Sequence, residues 1–125
     1  MASCNVIEMS VRLDKAGLVW QPEIGDEIVV RESPEKISIL VDPCGLTPAQ
    51  LRNSYLWIPR VEQLVNQFEA RKAIIYHVGA TNRCEYQVVA KYPAGVIDVE
   101  APSLRVAFGL ALEDLLQSRF NGVVH

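Results

Sequence analysis

From residue 60 onward the hydrophobic period of this chain changes twice, and few folds accommodate that. Val61, Leu64, Val65 and Phe68 recur at i, i+3, i+4 and i+7, with Arg60, Glu62, Gln63, Asn66 and Gln67 opposite. That is one apolar stripe on a helix, ending near Arg71-Lys72, where cations complement the exposed carbonyls. Ala73-Ile-Ile-Tyr-His-Val78 then reads as a strand, and residues 79–83 as a loop. Residues 84–92 alternate with period two. Tyr86, Val88, Ala90 and Tyr92 fall on one face, and Glu85, Gln87, Val89 and Lys91 on the other. Pro93-Ala94-Gly95 is a turn, and residues 96–100 form a third strand in which Ile97 and Val99 flank Asp98. The helical period returns in Leu104, Ala107, Phe108, Ala111, Leu112, Leu115 and Leu116, started by Pro102 or Ser103 and stopped at Asn121-Gly122. Gly109 lies on or beside this stripe, where a small residue would let the helix approach the sheet. The class is α+β. The expected architecture is an α-β-β-β-α sandwich, with helices over 60–71 and 103–119 packing an antiparallel sheet of 73–78, 84–92 and 96–100.

Upstream, residues 5–42 read as a β meander of four short strands. Met9, Val11 and Leu13 alternate with Ser10 and Arg12 in the first, and Asp14-Lys15-Ala16-Gly17 turns the chain. Leu18-Val19-Trp20 is the second strand, interrupted by Gln21 to Gly25 because Pro22 cannot donate to a ladder. Residues 26–31 and 36–41 are the third and fourth, separated by a polar turn and closed by Asp42-Pro43-Cys44-Gly45. Thr47-Pro48-Ala49-Gln50 is a capping box with proline at the first helical position. That helix is short, because Pro59 disfavours helical geometry at Ile58 and can itself open the next helix at N1. Residues 1–46 are thus expected as a β-rich subdomain packed on the 47–125 sandwich, the whole forming one compact unit, since about forty residues is small for a free-standing domain.

Composition removes several function classes. The chain has 125 residues, 12 basic against 15 acidic, half of them hydrophobic. Residues 1–59 hold five basic and eight acidic residues, a net of −3, and residues 60–125 hold seven of each. Neither half carries the clustered positive charge that phosphate neutralisation needs. The α-β-β-β-α order is shared with double-stranded RNA-binding domains, but those open their last helix with a lysine cluster. Here the position reads Glu100-Ala101-Pro102-Ser103-Leu104-Arg105, so nucleic-acid binding is disfavoured. No apolar run approaches the ~20 residues of a membrane span, and residues 1–10 lack a basic, then apolar, leader. A cytoplasmic protein without membrane association is expected. Cys4, Cys44 and Cys84 are scattered and odd in number, so no zinc site or other metal site is expected, nor any cofactor. The glycine-rich phosphate loops and the common hydrolase motifs are absent.

The remaining chemistry is sparse, and no catalytic set is expected to operate. Asp98 and Glu100 share one face of their strand, and Lys91 lies on the polar face of the neighbouring one. Two carboxylates beside a lysine are what a small metal-dependent nuclease would use. The same three residues also suit a solvated sheet face with cross-strand ion pairs, which is the reading favoured here. A Cys44–His77 nucleophile pair would require spatial contact and is the weaker alternative. Trp20 and Tyr92 are the candidate binding residues, as amphipathic aromatics of the kind that anchor protein partners, whereas Trp57 is expected in the core.

Two segments resemble a known group. Leu56-Trp57-Ile58-Pro59-Arg60-Val61-Glu62-Gln63-Leu64, preceded by Trp20 to Asp26, is similar to small phage- and prophage-encoded bacterial proteins. Tyr86 to Leu116, including Ala101-Pro102-Ser103-Leu104-Arg105, resembles the end of the phage ABA sandwich domain. The resemblance covers about half the chain, implies a sandwich of mobile-element origin, and implies no catalytic residues. The expected function is a non-enzymatic phage-type accessory module that binds a protein partner or a second copy of itself. The alternatives are the nuclease of Asp98, Glu100 and Lys91, and weak nucleic-acid binding.

Overall fold

The C-terminal half folds in the order its hydrophobic periods dictate. A computed structural model describes residues 4–122, with side chains through residue 118. Three strands, β4 (Ile74–Ala80), β5 (Tyr86–Tyr92) and β6 (Gly95–Ala101), form an antiparallel meander, with Val88 opposite Val99 and Ala90 opposite Ile97. Two helices pack it, α3 (Val61–Ala70) and α4 (Leu104–Gly122), the latter lying on β5 and β6. Val88, Ala90, Ile97 and Ala101 meet Leu64, Phe68, Phe108, Leu112 and Leu115 in the main core. Phe68 and Phe108 pack edge to face at 6.2 Å, the arrangement that the ring quadrupole favours. Pro59 does not open α3. The helix begins two residues later, at Val61, because Arg60 is the N-cap and donates its backbone N–H to Gln63 Oε1 at 2.9 Å.

The N-terminal half corrects the expected meander. Residues Val6–Lys15 are a helix, α1, not a strand. Asn5 caps it, accepting from the Glu8 backbone N–H at 2.8 Å, and Gly17 ends it at φ +100°. The alternation of Met9, Val11 and Leu13 arises because α1 is buried on two sides. Met9 and Leu13 are one i, i+4 pair and enter the main core. Ile7 and Val11 are another, and pack with Val6 on Val29, Leu56 and Ile58. Interleaving two i, i+4 pairs produces a period of two in the sequence. Ser10, buried between them, donates its hydroxyl to the Val6 carbonyl at 2.9 Å. The Leu18–Trp20 strand is also absent, and those residues run as a loop.

The other strands belong to a second antiparallel sheet in the order β2-β1-β3, with β1 at Glu27–Val30, β2 at Ser33–Ile39 and β3 at Tyr55–Trp57. Helix α2 (Pro48–Ser54) carries the expected capping box between Thr47 and Gln50 and runs directly into β3. Because β3 pairs with β1, with Val29 opposite Leu56, and α1 packs on α4, the segments before and after residue 46 are interleaved. Two arginines tie the parts together. Arg12 makes a forked pair with the buried Glu113 of α4, at 2.8 and 3.1 Å. Arg105 of α4 donates to the Pro59 and Ile58 carbonyls at 2.8 Å each and reaches Glu27 at 3.2 Å. Gly109 also differs from expectation: the close approach it permits is to α1, not to the sheet. A Cβ there would fall inside the volume of Met9 Sδ and Cγ.

Candidate functional site

Asp98, Glu100 and Lys91 do share the outer face of the β4-β5-β6 sheet, because Ile97, Val99 and Ala101 alternate with the two acids and turn inward. Their polar ends go to separate partners. Asp98, whose backbone partner is Val89, accepts from the diagonal neighbour Gln87 Nε2 at 2.9 Å. Glu100 pairs with Arg83 at 3.4 Å, at the sheet's end. Lys91 turns to the other neighbour and sits 5.9 Å above the Tyr76 ring of β4, a cation–π contact. Among the described residues, no group of three or more His, Cys, Asp or Glu side chains is placed to hold a metal ion. What the geometry builds here is a set of local cross-strand contacts, each worth ~0.2–1 kcal/mol.

The more informative feature is the edge of the same sheet. Outer strands leave a row of backbone N–H and C=O groups unpaired, and natural sheets guard them with charge, proline or brevity. Strand β6 carries Asp98 and Glu100, β2 carries Pro34, Glu35 and Lys36, and β3 has three residues. Strand β4, Ile-Ile-Tyr-His-Val-Gly-Ala, has seven residues, no formally charged side chain at neutral pH and no proline, and its one irregularity is a bulge between Ile75 and His77. Among the described residues it pairs only with β5. Ile74 is 61% exposed and Tyr76 62%. Val78 and Tyr86 lie on the core-facing side by register, yet both stay exposed, since Val78 opposes Val88 and Tyr86 opposes Ala80 toward one end of the sheet. The sequence reading found this strand but not its position at an edge. The signal available was eight uncharged residues, 73–80, that open a meander without alternating.

The two residues expected to bind lie elsewhere. Trp20 is only 4% exposed, so it is not the free anchor that was expected. Its indole N–H donates to Asp26 at 2.8 Å, and the same carboxylate, itself 3% exposed, accepts from the Glu23 backbone and from Gln63 Nε2 at 3.0 and 2.7 Å. Asp26 thus fastens the 18–26 loop to α3. Tyr92 is half-buried against the main core. Trp57 is half-buried, bridging two of the hydrophobic clusters. Cys44 occupies an exposed turn at φ +54°, and His77 lies on β4 of the other sheet, with no hydrogen bond joining them. Burial pushes the Cys4 thiol up from its ordinary range, which disfavours the nucleophilic thiolate. No described helix is long and apolar enough to cross a membrane. Compared with protein-family models, with curated proteins and with solved structures, the chain matches none.

Proposed function

We propose that this chain is a non-enzymatic, cytoplasmic protein-interaction module of the phage-accessory kind, and that it works through the open edge of β4. The observation that supports this reading is the seven-residue edge without charge or proline, on which Ile74 and Tyr76 are exposed. The partner is a second copy of the chain, whose β4 adds antiparallel to the first. Charge supports that choice. A two-fold antiparallel pairing of β4 with its copy brings no formal charge at neutral pH against its like within the strand. The backbone ladder supplies affinity and the exposed apolar side chains supply register.

Light scattering on a size-exclusion column tests this. The expected result is a dimer at about 100 μM protein that dissociates on dilution. Tyr76→Glu should be monomeric, because it sets two carboxylates near each other across the two-fold while leaving Lys91 a partner within the fold. A wild-type chain that stays monomeric at that concentration overturns the homotypic pairing.

A further inference from the structure

A cleft of about 240 Å³ opens between the end of α1, the 18–20 loop and the α2–β3 corner, and none of its lining residues belongs to the β4-β5-β6 sheet. Both tryptophans of the chain line it, together with Leu18, Val19 and Leu56. Two arginines complete it, and they differ in one respect. Arg31 has a partner at each nitrogen: its Nε donates to the Arg52 carbonyl at 2.7 Å and its two Nη atoms to Asp14 at 3.2 and 3.4 Å. Arg52 does not. Its Nε is fixed on the Trp20 carbonyl at 2.6 Å, and its terminal Nη atoms have no hydrogen-bond or carboxylate partner among the described residues. The cleft therefore holds two cations against the single anion Asp14, in a chain whose net charge is −3. A half-buried guanidinium with a free planar end, held beside apolar and aromatic walls, matches a carboxylate that carries an apolar body. Nearby, the buried Trp57 Nε1–H also lacks an acceptor.

We propose that this cleft binds a small apolar carboxylate, with the carboxylate on the Arg52 Nη atoms and the hydrocarbon body between Leu18, Trp20, Leu56 and Trp57. The size of the cleft limits the body to a branched aliphatic or single-ring group. The carboxylate comes either from a free acid or from the C-terminal residue of a peptide, and both present the same chemistry to Arg52.

Because Trp20 and Trp57 are the chain's only tryptophans, intrinsic fluorescence reports the cleft directly. The full chain is titrated with 4-methylpentanoate, with its neutral carboxamide, and with a pentapeptide ending in leucine. A saturable change is expected with the acid, at least tenfold weaker with the carboxamide. Saturation by the peptide at much lower concentration assigns the source to a chain terminus, and saturation by the free acid alone assigns it to a metabolite. Arg52→Gln should weaken acid binding about tenfold or more, and Arg52→Lys by less, since lysine keeps the charge but loses the fork. Val19, 57% exposed at the cleft, gives variants that do not burden folding. Val19→Asp should weaken binding several-fold and Val19→Lys strengthen it. The proposal is overturned by the absence of any saturable change up to about 10 mM acid or peptide, by equal binding of acid and carboxamide, or by Val19 variants of opposite charge that bind alike.

Discussion

Strands β2 and β4 occupy the same place in their sheets. Each is a seven-residue outer strand of a three-stranded antiparallel sheet, exposed along most of its length. Their composition is opposite. Pro34, Glu35 and Lys36 spoil β2 as a template for another chain, while β4 offers an uncharged backbone row. Their support differs too. The sheet of β4 rests on the large main core of α3, α4 and α1, whereas the sheet of β2 rests on two small clusters and on the hydrogen bonds of Asp26. A firmly held edge without charge or proline and a lightly held edge with both are each exposed, so exposure alone does not tell them apart. They differ in charge along the edge and in the core behind it, and the proposed dimer rests on that difference.

The contrast breaks most sharply at Phe68. Phe68→Ala removes a fully buried ring from the core behind β4 and should cost roughly 3–5 kcal/mol. Hydrogen exchange should show β4 and β5 amides losing protection in step with global unfolding in denaturant. On the other side, Asp26→Ala strips the acceptor from the Trp20 and Gln63 side chains and from the Glu23 backbone N–H. It should cost about 3 kcal/mol. The amides of residues 23–40 should exchange first and those of β5 stay protected. Uniform loss across both sheets would show that the two halves are equally supported.

Gly109→Ala probes the joint between them. Its Cβ displaces Met9, a fully buried side chain, so a penalty of roughly 1–3 kcal/mol is expected in thermal melts. Met9→Ala in the same chain should recover part of it, since the displaced atoms are then gone. The smallest effect on stability is at the edges. Tyr76→Glu and Ile39→Glu should each change it by less than about 0.5 kcal/mol, as exposed sites do. Only Tyr76→Glu should abolish the dimer expected in light scattering. Equal loss from Ile39→Glu would move the interface to β2 and erase the contrast.

Much of the fold was legible in the residues. The stripe Val61-Leu64-Val65-Phe68 and the alternation from Tyr86 to Tyr92 each satisfy one burial direction, so each shows a single period. Thr47 and Gln50 marked α2 by local hydrogen bonds alone. The face shared by Asp98, Glu100 and Lys91 followed from strand parity. Which partner each side chain takes did not, because Gln87, Arg83 and Tyr76 come from other positions in the register.

Local sequence thus determined the elements whose apolar residues look one way, and the caps and turns that need only neighbours. Tertiary structure decided the rest. Helix α1 is buried against both a sheet and a helix, so its pattern carries two directions at once and imitates a strand. Its cap is a local contact, in which Asn5 accepts from the Glu8 backbone N–H. Strand β3 exists because β1 is there to pair with it. The open edge of β4 and the free end of Arg52 are likewise properties of what packs nearby, since exposure and pairing are set by the neighbours that folding brings.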